Sequence, residues 1–255
     1  MNSQVRIVNK RAGQTPLDCI NELKKNESNL LYLPLTYAGR LDPLAEGVLI
    51  ILIGDECMKK DEYLKLSKEY EVDILFGFET DTYDVMGKVK ASPAILFEKS
   101  SEKNITVSSS CQFPGPRKRE DEVPDRENWH EDFASKTQNI LPQFTGRIKQ
   151  SYPPYSSRTV NGKTLFQWSR EGKIDEITIP ARDVFVEKIE ILKEDSILGS
   201  ELLNQIKKDI SQVSGDFRQP EIITIWENIL EDKKEERYKT ITLRISCGSG
   251  FYVRA

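Results

Sequence analysis

A chain of 255 residues can bury one large core or two small ones without disulfide staples. Its 41 acids outnumber 37 lysines and arginines, so a net charge of -4 lacks the basic footprint usual in a phosphate-backbone binder. Four scattered cysteines without C-x-x-C spacing and a single histidine argue against a disulfide framework or a zinc site, and no apolar run approaches a membrane span; a cytoplasmic protein with free thiols is expected.

Val5 to Val8 reads as a short strand, and Lys10 to Pro16 as the loop after it. Thr15 suits an N-cap with Pro16 at the first helical position, and Leu17, Ile20 and Leu23 supply a helical stripe. Next, Pro43 fixes Asp42 in a turn that runs into an apolar stretch ending at Ile53 and Gly54, the pattern of a buried strand. An aspartate at such a junction can close a turn through its own backbone or serve chemistry, and the local residues leave both open. From Leu64 to Phe76 a short helix gives way to an alternating strand, with Tyr70, Val72, Ile74 and Phe76 on one face. Asp81 and Asp84 are spaced like a metal loop, but the later oxygen ligands of a calcium site are missing, so a structural turn is expected.

Residues 91 to 140 lose periodicity and fill with Ser, Lys, Glu, Asp and Pro; partial disorder is expected there, with His130 exposed and inert. Residues 145 to 173 then carry Arg147, Lys149, Arg158, Lys163, Arg170 and Lys173 against the single acid Glu171, with Tyr152, Tyr155, Phe166 and Trp168 interleaved. That face is compatible with RNA, although a solvated surface is the commoner outcome of such a run. Tyr152 to Ser157 is stiffened by Pro153 and Pro154, Leu165 to Gly172 reads as a helix, and Arg182 to Leu192 alternates as a strand. Residues 196 to 210 form an amphipathic pattern with Leu198, Leu202, Leu203 and Ile206 on one face. Lys239 to Cys247 is a last alternating strand, leading through Gly248 to Gly250 into Phe251-Tyr252-Val253-Arg254.

Gly39 to Gly47 resembles the G-x-L-D-P-x-A-x-G signature of the TruB family of pseudouridine synthases, which carries that family's essential aspartate. Lys68-Glu69-Tyr70 and Thr80 to Gly87 are similar to its K-x-Y and T-D-T-x-D-x-x-G motifs, Gly146 to Gly172 to its G-x-I-x-Q-x-P-P-x-Y-S-A block, and Gly250 to Arg254 to its G-T-Y-I-R strand. Lys10 and Gly13 keep part of the K-P-x-G loop, with Arg11 where proline is usual. Two departures stand out. Tyr37 replaces the histidine of G-H-T-G, and Thr159, beside Arg158, stands where lysine is frequent.

The resemblance implies an α+β, pseudouridine synthase-like fold, with a long, mostly antiparallel mixed sheet flanked by helices and loops. It implies one catalytic domain over 1–255 with charged insertions at about 91–140 and 193–238, ending before the helices that follow the G-x-Y-x-R strand and without a C-terminal RNA-binding (PUA) domain. The implied reaction isomerises a uridine of RNA, that of the tRNA T-loop, with no cofactor, no metal and no membrane; the RNA T-arm is the partner of a monomer. Asp42 would be nucleophile or base, shielded from water. Tyr70 would stack on the extruded uracil, and Arg254 would pair with Asp42 with bidentate reach. Tyr37, Arg40, Tyr155, Arg158, Lys163 and Tyr252 would bind substrate. Lys10 would contact a phosphate or remain an exposed loop lysine. The Tyr37 change and the acidic balance keep open an RNA-binding or RNA-folding protein of weak or no catalytic power. A guide-dependent rRNA modifier is the other alternative.

Overall fold

The computed structural model describes residues 3–91 and 129–255. The predicted disorder within 91–140, and the side chain of His130, lie outside the described residues except where backbone is placed from residue 129 onward.

β1 (Gln4–Lys10) is followed by helix α1 (Pro16–Asn26), then β2 (Leu35–Ala38) and β3 (Gly47–Ile53). These strands form an antiparallel sheet in the order β1-β3-β2. The run Gly47-Val48-Leu49-Ile50-Ile51-Leu52-Ile53 takes the centre because it alone is apolar on both faces. Leu49, Ile51 and Ile53 pack with Cys19, Ile20 and Leu30. The helix starts as expected: Thr15 and Asp18 form a capping box with Pro16 in the first turn. Leu17, placed on the apolar stripe by spacing, instead points outward, and Cys19 takes its place in the core.

Helix α2 (Lys60–Leu64) and β4 (Lys68–Leu75) come next, then a two-stranded ribbon, β5 (Glu79–Thr80) with β6 (Val89–Ala91). After α3 (Trp129–Ile140) and β7 (Gly146–Ser151), a second ribbon pairs β8 (Thr159–Val160) with β9 (Lys163–Thr164) and leads into α4 (Leu165–Arg170). The 18 residues of β10 (Ala181–Leu198) span about 60 Å. Helices α5 (Gly199–Gln212) and α6 (Gln219–Leu230) separate it from β11 (Arg237–Cys247). The second sheet has the order β4-β11-β10-β7. The chain is α+β, and every pairing among the described residues is antiparallel, arranged as two larger sheets and two two-stranded ribbons.

β11 is central because Ile241, Leu243, Ile245 and Cys247 alternate toward the core while its other face meets acids of β4. Arg244 donates to Glu71 at 2.8 Å and Thr242 to Asp73 at 2.6 Å. Beyond Cys247 the predicted strand does not continue: Phe251 to Arg254 is irregular. Gly250 turns there at φ +92°, and a Cβ would sit 2.4 Å from the Arg182 guanidinium.

The stretch read as a charged insertion at 193–238 is ordered and builds its own core. β10 runs on to Leu198, which pairs with Arg237, so α5 and α6 rise from the paired ends of a hairpin. Leu202, Ile206, Ile210, Ile222, Trp226 and Leu230 pack with Tyr238 and with Met86 from the loop between β5 and β6. Trp226 Nε1 donates to the Val85 carbonyl at 3.0 Å. None of the helices among the described residues is long and apolar enough to cross a membrane.

Candidate active site

The turn before β3 is held from beneath by Lys10. This side chain is 0% exposed, and its ammonium donates to the carbonyls of Ala45 at 2.6 Å, Asp42 at 3.2 Å, Arg11 at 3.3 Å and Pro43 at 3.4 Å. Neither sequence reading of Lys10 survives. It is no exposed lysine, and a nitrogen committed to four carbonyls in the interior does not reach a phosphate. Burial pulls its pKa down, while the nearby Asp42 and Glu46 carboxylates oppose that shift. The Gly13 amide donates to the Pro43 carbonyl at 2.8 Å, and a Cβ on Gly13 would collide with the Gln212 carbonyl of α5 at 2.2 Å.

Asp42 meets Arg254 from the other end of the sequence. Arg254 Nε donates to Asp42 Oδ2 at 2.6 Å; Nη1 donates to the Thr82 carbonyl and Nη2 to the Tyr155 carbonyl at 3.0 Å. The pairing is therefore single, not bidentate, because the fork is spent on two backbone oxygens from two other segments. The Arg254 side chain is 15% exposed, whereas Asp42 is 48% exposed. The expected shielding of Asp42 from water is thus not supplied by the described residues, and a bound base would have to complete it.

Gln150 of β7 replaces a strand as the partner of the segment carrying Arg254. Its side-chain amide accepts from the Tyr252 N–H at 2.9 Å and donates to the carbonyls of Tyr252 at 2.9 Å and Ala255 at 2.7 Å. The Tyr252 ring meets Tyr152 edge-on at 5.9 Å, with Arg182 over both rings.

Two aspartates of the loop after β5 have opposite environments. Asp84 Oδ1 accepts from Thr82 Oγ1 at 2.6 Å and from the Met86 amide at 3.0 Å, yet its burial drives its pKa up. Asp81 is also penalised by burial, but hydrogen bonds from Arg218, Tyr155 and the Lys88 amide outweigh that and hold its carboxyl below the usual range. The structural-turn reading of this loop holds. Tyr155 donates from its phenol to Asp81 Oδ2 at 2.8 Å; burial and that bond push its pKa to about 12.

Around Asp42 the described residues form a cavity lined by Asp42, Thr82, Asp84, Met86, Tyr155, Phe166, Arg170, Phe217, Arg218 and Arg254. Of the sequence-predicted set, Asp42, Tyr155 and Arg254 line it. Tyr70 lies deeper, packed on the β11 core; burial raises its pKa, and the Asp42 carboxylate is near enough to add to the rise. Tyr37 packs on the first core with Lys60 over its ring at 5.2 Å, and Arg40 reaches its hydroxyl at 3.4 Å. Neither Tyr37 nor Arg40 lines the cavity, nor do Arg158, Lys163 and Tyr252.

The interleaved cations and aromatics of 145–173 become stacked pairs. Arg158 sits 5.3 Å from the Tyr152 ring, Lys163 5.0 Å from Trp168 and Arg170 5.7 Å from Phe166. Lys163 also binds Glu171, the one acid of the stretch, at 2.8 Å. Sequence reasoning missed Phe217 and Arg218, and nothing local marks them beyond Pro220 opening a helix.

A family model described as TruB family pseudouridylate synthase (N terminal domain) matches residues 34–115 and 115–211, well over half of the chain. The chain belongs to the TruB family. That match contains Asp42, Tyr70 and Tyr155; Lys10 and Arg254 lie outside it. Among curated relatives, a tRNA pseudouridine synthase B of Nostoc sp. is 28% identical over 248 residues, 97% of this TruB-family chain and 58% of the relative. The tRNA pseudouridine synthase B of Caldanaerobacter subterraneus is 31% identical across 63% of the chain and 44% of its own length. A tRNA pseudouridine synthase 4 of Schizosaccharomyces pombe is 28% identical across 73% and 44%. The chain thus spans about half the length of the curated relatives it matches. A solved structure of an H/ACA RNP bound to a substrate RNA containing 2'-deoxyuridine aligns over 98% of the chain and 39% of the other, with a TM-score of 0.42 and 13% identity.

Proposed function

We propose that this chain converts a uridine of RNA, that of the tRNA T-loop, into pseudouridine. The observation that carries the reading is the contact of Arg254 Nε with Asp42 Oδ2 at 2.6 Å, across 212 positions of sequence, at the edge of a cavity. The reaction breaks the bond from uracil N1 to the ribose, turns the base and joins the ribose to C5. C5 loses one proton and N1 gains one, so no net redox change is needed. Asp42 acts as nucleophile or base, and Arg254 keeps its carboxylate aimed once a base has displaced water. Tyr70, half-buried against the β11 core with its phenol pKa raised by burial, is suited to pack against the uracil. The target atom is hidden in a stacked helix, which favours a loop as substrate. The stacked cations of 145–173 offer phosphate and base contacts despite the acidic sum.

The test is mass-spectrometric detection of pseudouridine in unmodified tRNA incubated with the purified chain and with Asp42→Asn. Conversion by wild type and none by the variant is expected. An asparagine variant as active as wild type ends the catalytic assignment. Tight binding without conversion points to an RNA-binding role, and conversion only with an added guide RNA to a guide-dependent modifier.

A further inference from the structure

The loop joining α5 to α6 brings Arg218 against the site. Arg218 Nη1 and Nη2 donate to Asp81 Oδ2 and Oδ1 at 2.9 and 3.3 Å, and its guanidinium lies 4.9 Å from the Tyr155 ring centre. Asp81 and Arg218 are each 16% exposed. Arg218 adopts a left-handed backbone at φ +63°, a strained choice for a side chain of this kind that must be over-determined by its surroundings. Another non-glycine residue in that region, Tyr83, adjoins Thr82 at the same cavity.

The residues Arg218 joins belong to the two segments that hold Arg254. Thr82 follows Asp81 directly, and its carbonyl accepts from Arg254 Nη1; the Tyr155 carbonyl accepts from Nη2, while the Tyr155 phenol is fixed by Asp81. A planar fork can hold the two oxygens of a carboxylate with two separate nitrogens while its flat face lies over an aromatic ring, a geometry that a point-charge ammonium lacks. We propose that Arg218 is a positioning residue: by clamping Asp81 to Tyr155 it fixes the two carbonyls that orient Arg254 toward Asp42. The α5–α6 segment is thereby a working part of the site. The catalytic consequence rests on the isomerase reading above.

Two variants separate this role from simple bracing. Arg218→Gln removes the clamp. Glu221→Gln removes the exposed 2.6 Å pair with Lys88, which ties α6 to the same loop without touching Tyr155. With enzyme in excess and saturating, Arg218→Gln is expected to lower the single-turnover rate constant at least about tenfold, with RNA affinity within about threefold; Glu221→Gln should stay within about twofold of wild type. That rate constant does not depend on the fraction of folded enzyme, so mere destabilisation leaves it unchanged. Hydrogen exchange followed by mass spectrometry should accelerate over both 79–88 and 152–157 in Arg218→Gln alone. A wild-type rate constant in Arg218→Gln overturns the proposal, even if the segments loosen. Should the wild-type chain convert no uridine, the isomerase reading fails separately, and the exchange data decide the clamp: acceleration in both segments supports it, and unchanged exchange refutes it.

Discussion

Two long cations show how far a residue's chemistry can be read before its surroundings are known. Lys10 and Arg254 both stand in recognisable motifs, but Lys10 is turned inward onto four carbonyls while Arg254 is turned onto one carboxylate and two carbonyls. No sequence pattern encodes a ring of carbonyls, since the groups are on every residue. Lys10→Met should leave those oxygens without their donor and cost about 3 kcal/mol, lowering the melting temperature by about 6 °C or more. A lysine that contacted phosphate would instead leave stability alone and reduce the salt dependence of RNA binding by about one unit of slope; that slope is expected to match wild type. Arg254→Lys keeps the charge but has one nitrogen for three acceptors. The rate constant for pseudouridine formation should fall about 100-fold, and a lysine variant at full rate would show that the Thr82 and Tyr155 carbonyls are idle.

At the scale of elements, strands announced themselves where one face is apolar and the other charged, as in β4 and β11, or where both faces are apolar, as in β3. The four-residue β2 carries too short a pattern to be seen. Phe251 to Arg254 carries an apolar rhythm and yet is not a strand: the last sheet bond runs from the Gly248 N–H to the Phe185 carbonyl, Gly250 then turns the chain at φ +92°, and the Gln150 amide takes over. Gln150→Ala should therefore speed hydrogen exchange at 250–255 and slow pseudouridine formation, while changing the melting temperature little. The loop after β5 makes a second, pH-dependent prediction. Asp81 binds its proton less readily folded than unfolded, so it adds stability above its ordinary 3.8 that disappears as pH falls through its lowered value. Asp84 has the opposite sign: its folded pKa lies above 3.8, so its cost grows as pH rises through that interval. Melting temperature against pH should show Asp81→Asn less stable than wild type at pH 7 and Asp84→Asn more stable. Both differences should shrink toward pH 3. Asp84→Asn keeps an oxygen to accept from Thr82 and Met86, so burial of charge is what the substitution removes.

For the whole molecule, the decisive arrangement is one that joins distant parts of the chain. Asp42, Thr82, Tyr155, Arg218 and Arg254 come from five stretches; the resemblance implied the meeting of Asp42 with Arg254, whereas nothing in the sequence placed Arg218 against them. The 193–238 segment looked like a charged interruption because its acids and lysines face outward, while the packing of Ile222, Trp226 and Leu230 against Met86 depends on where the loop after β5 folds back. Because Leu198 and Arg237 are already paired, residues 199–236 can be replaced by a two-residue Asn-Gly turn without breaking the register of β10 with β11. The shortened chain should keep its strand signal in circular dichroism, since neither sheet passes through α5 or α6. It should nevertheless melt at a much lower temperature, as Phe78, Val85 and Met86 lose their cover and the Gly13 turn loses the α5 backbone behind it. Conversion of uridine should fall further than Arg218→Gln alone brings it, because the clamp and the wall that Phe217 contributes to the cavity go together. A shortened chain that converts uridine at the wild-type rate would show that the two sheets and the Asp42–Arg254 contact suffice, and that these helices serve something other than the chemistry.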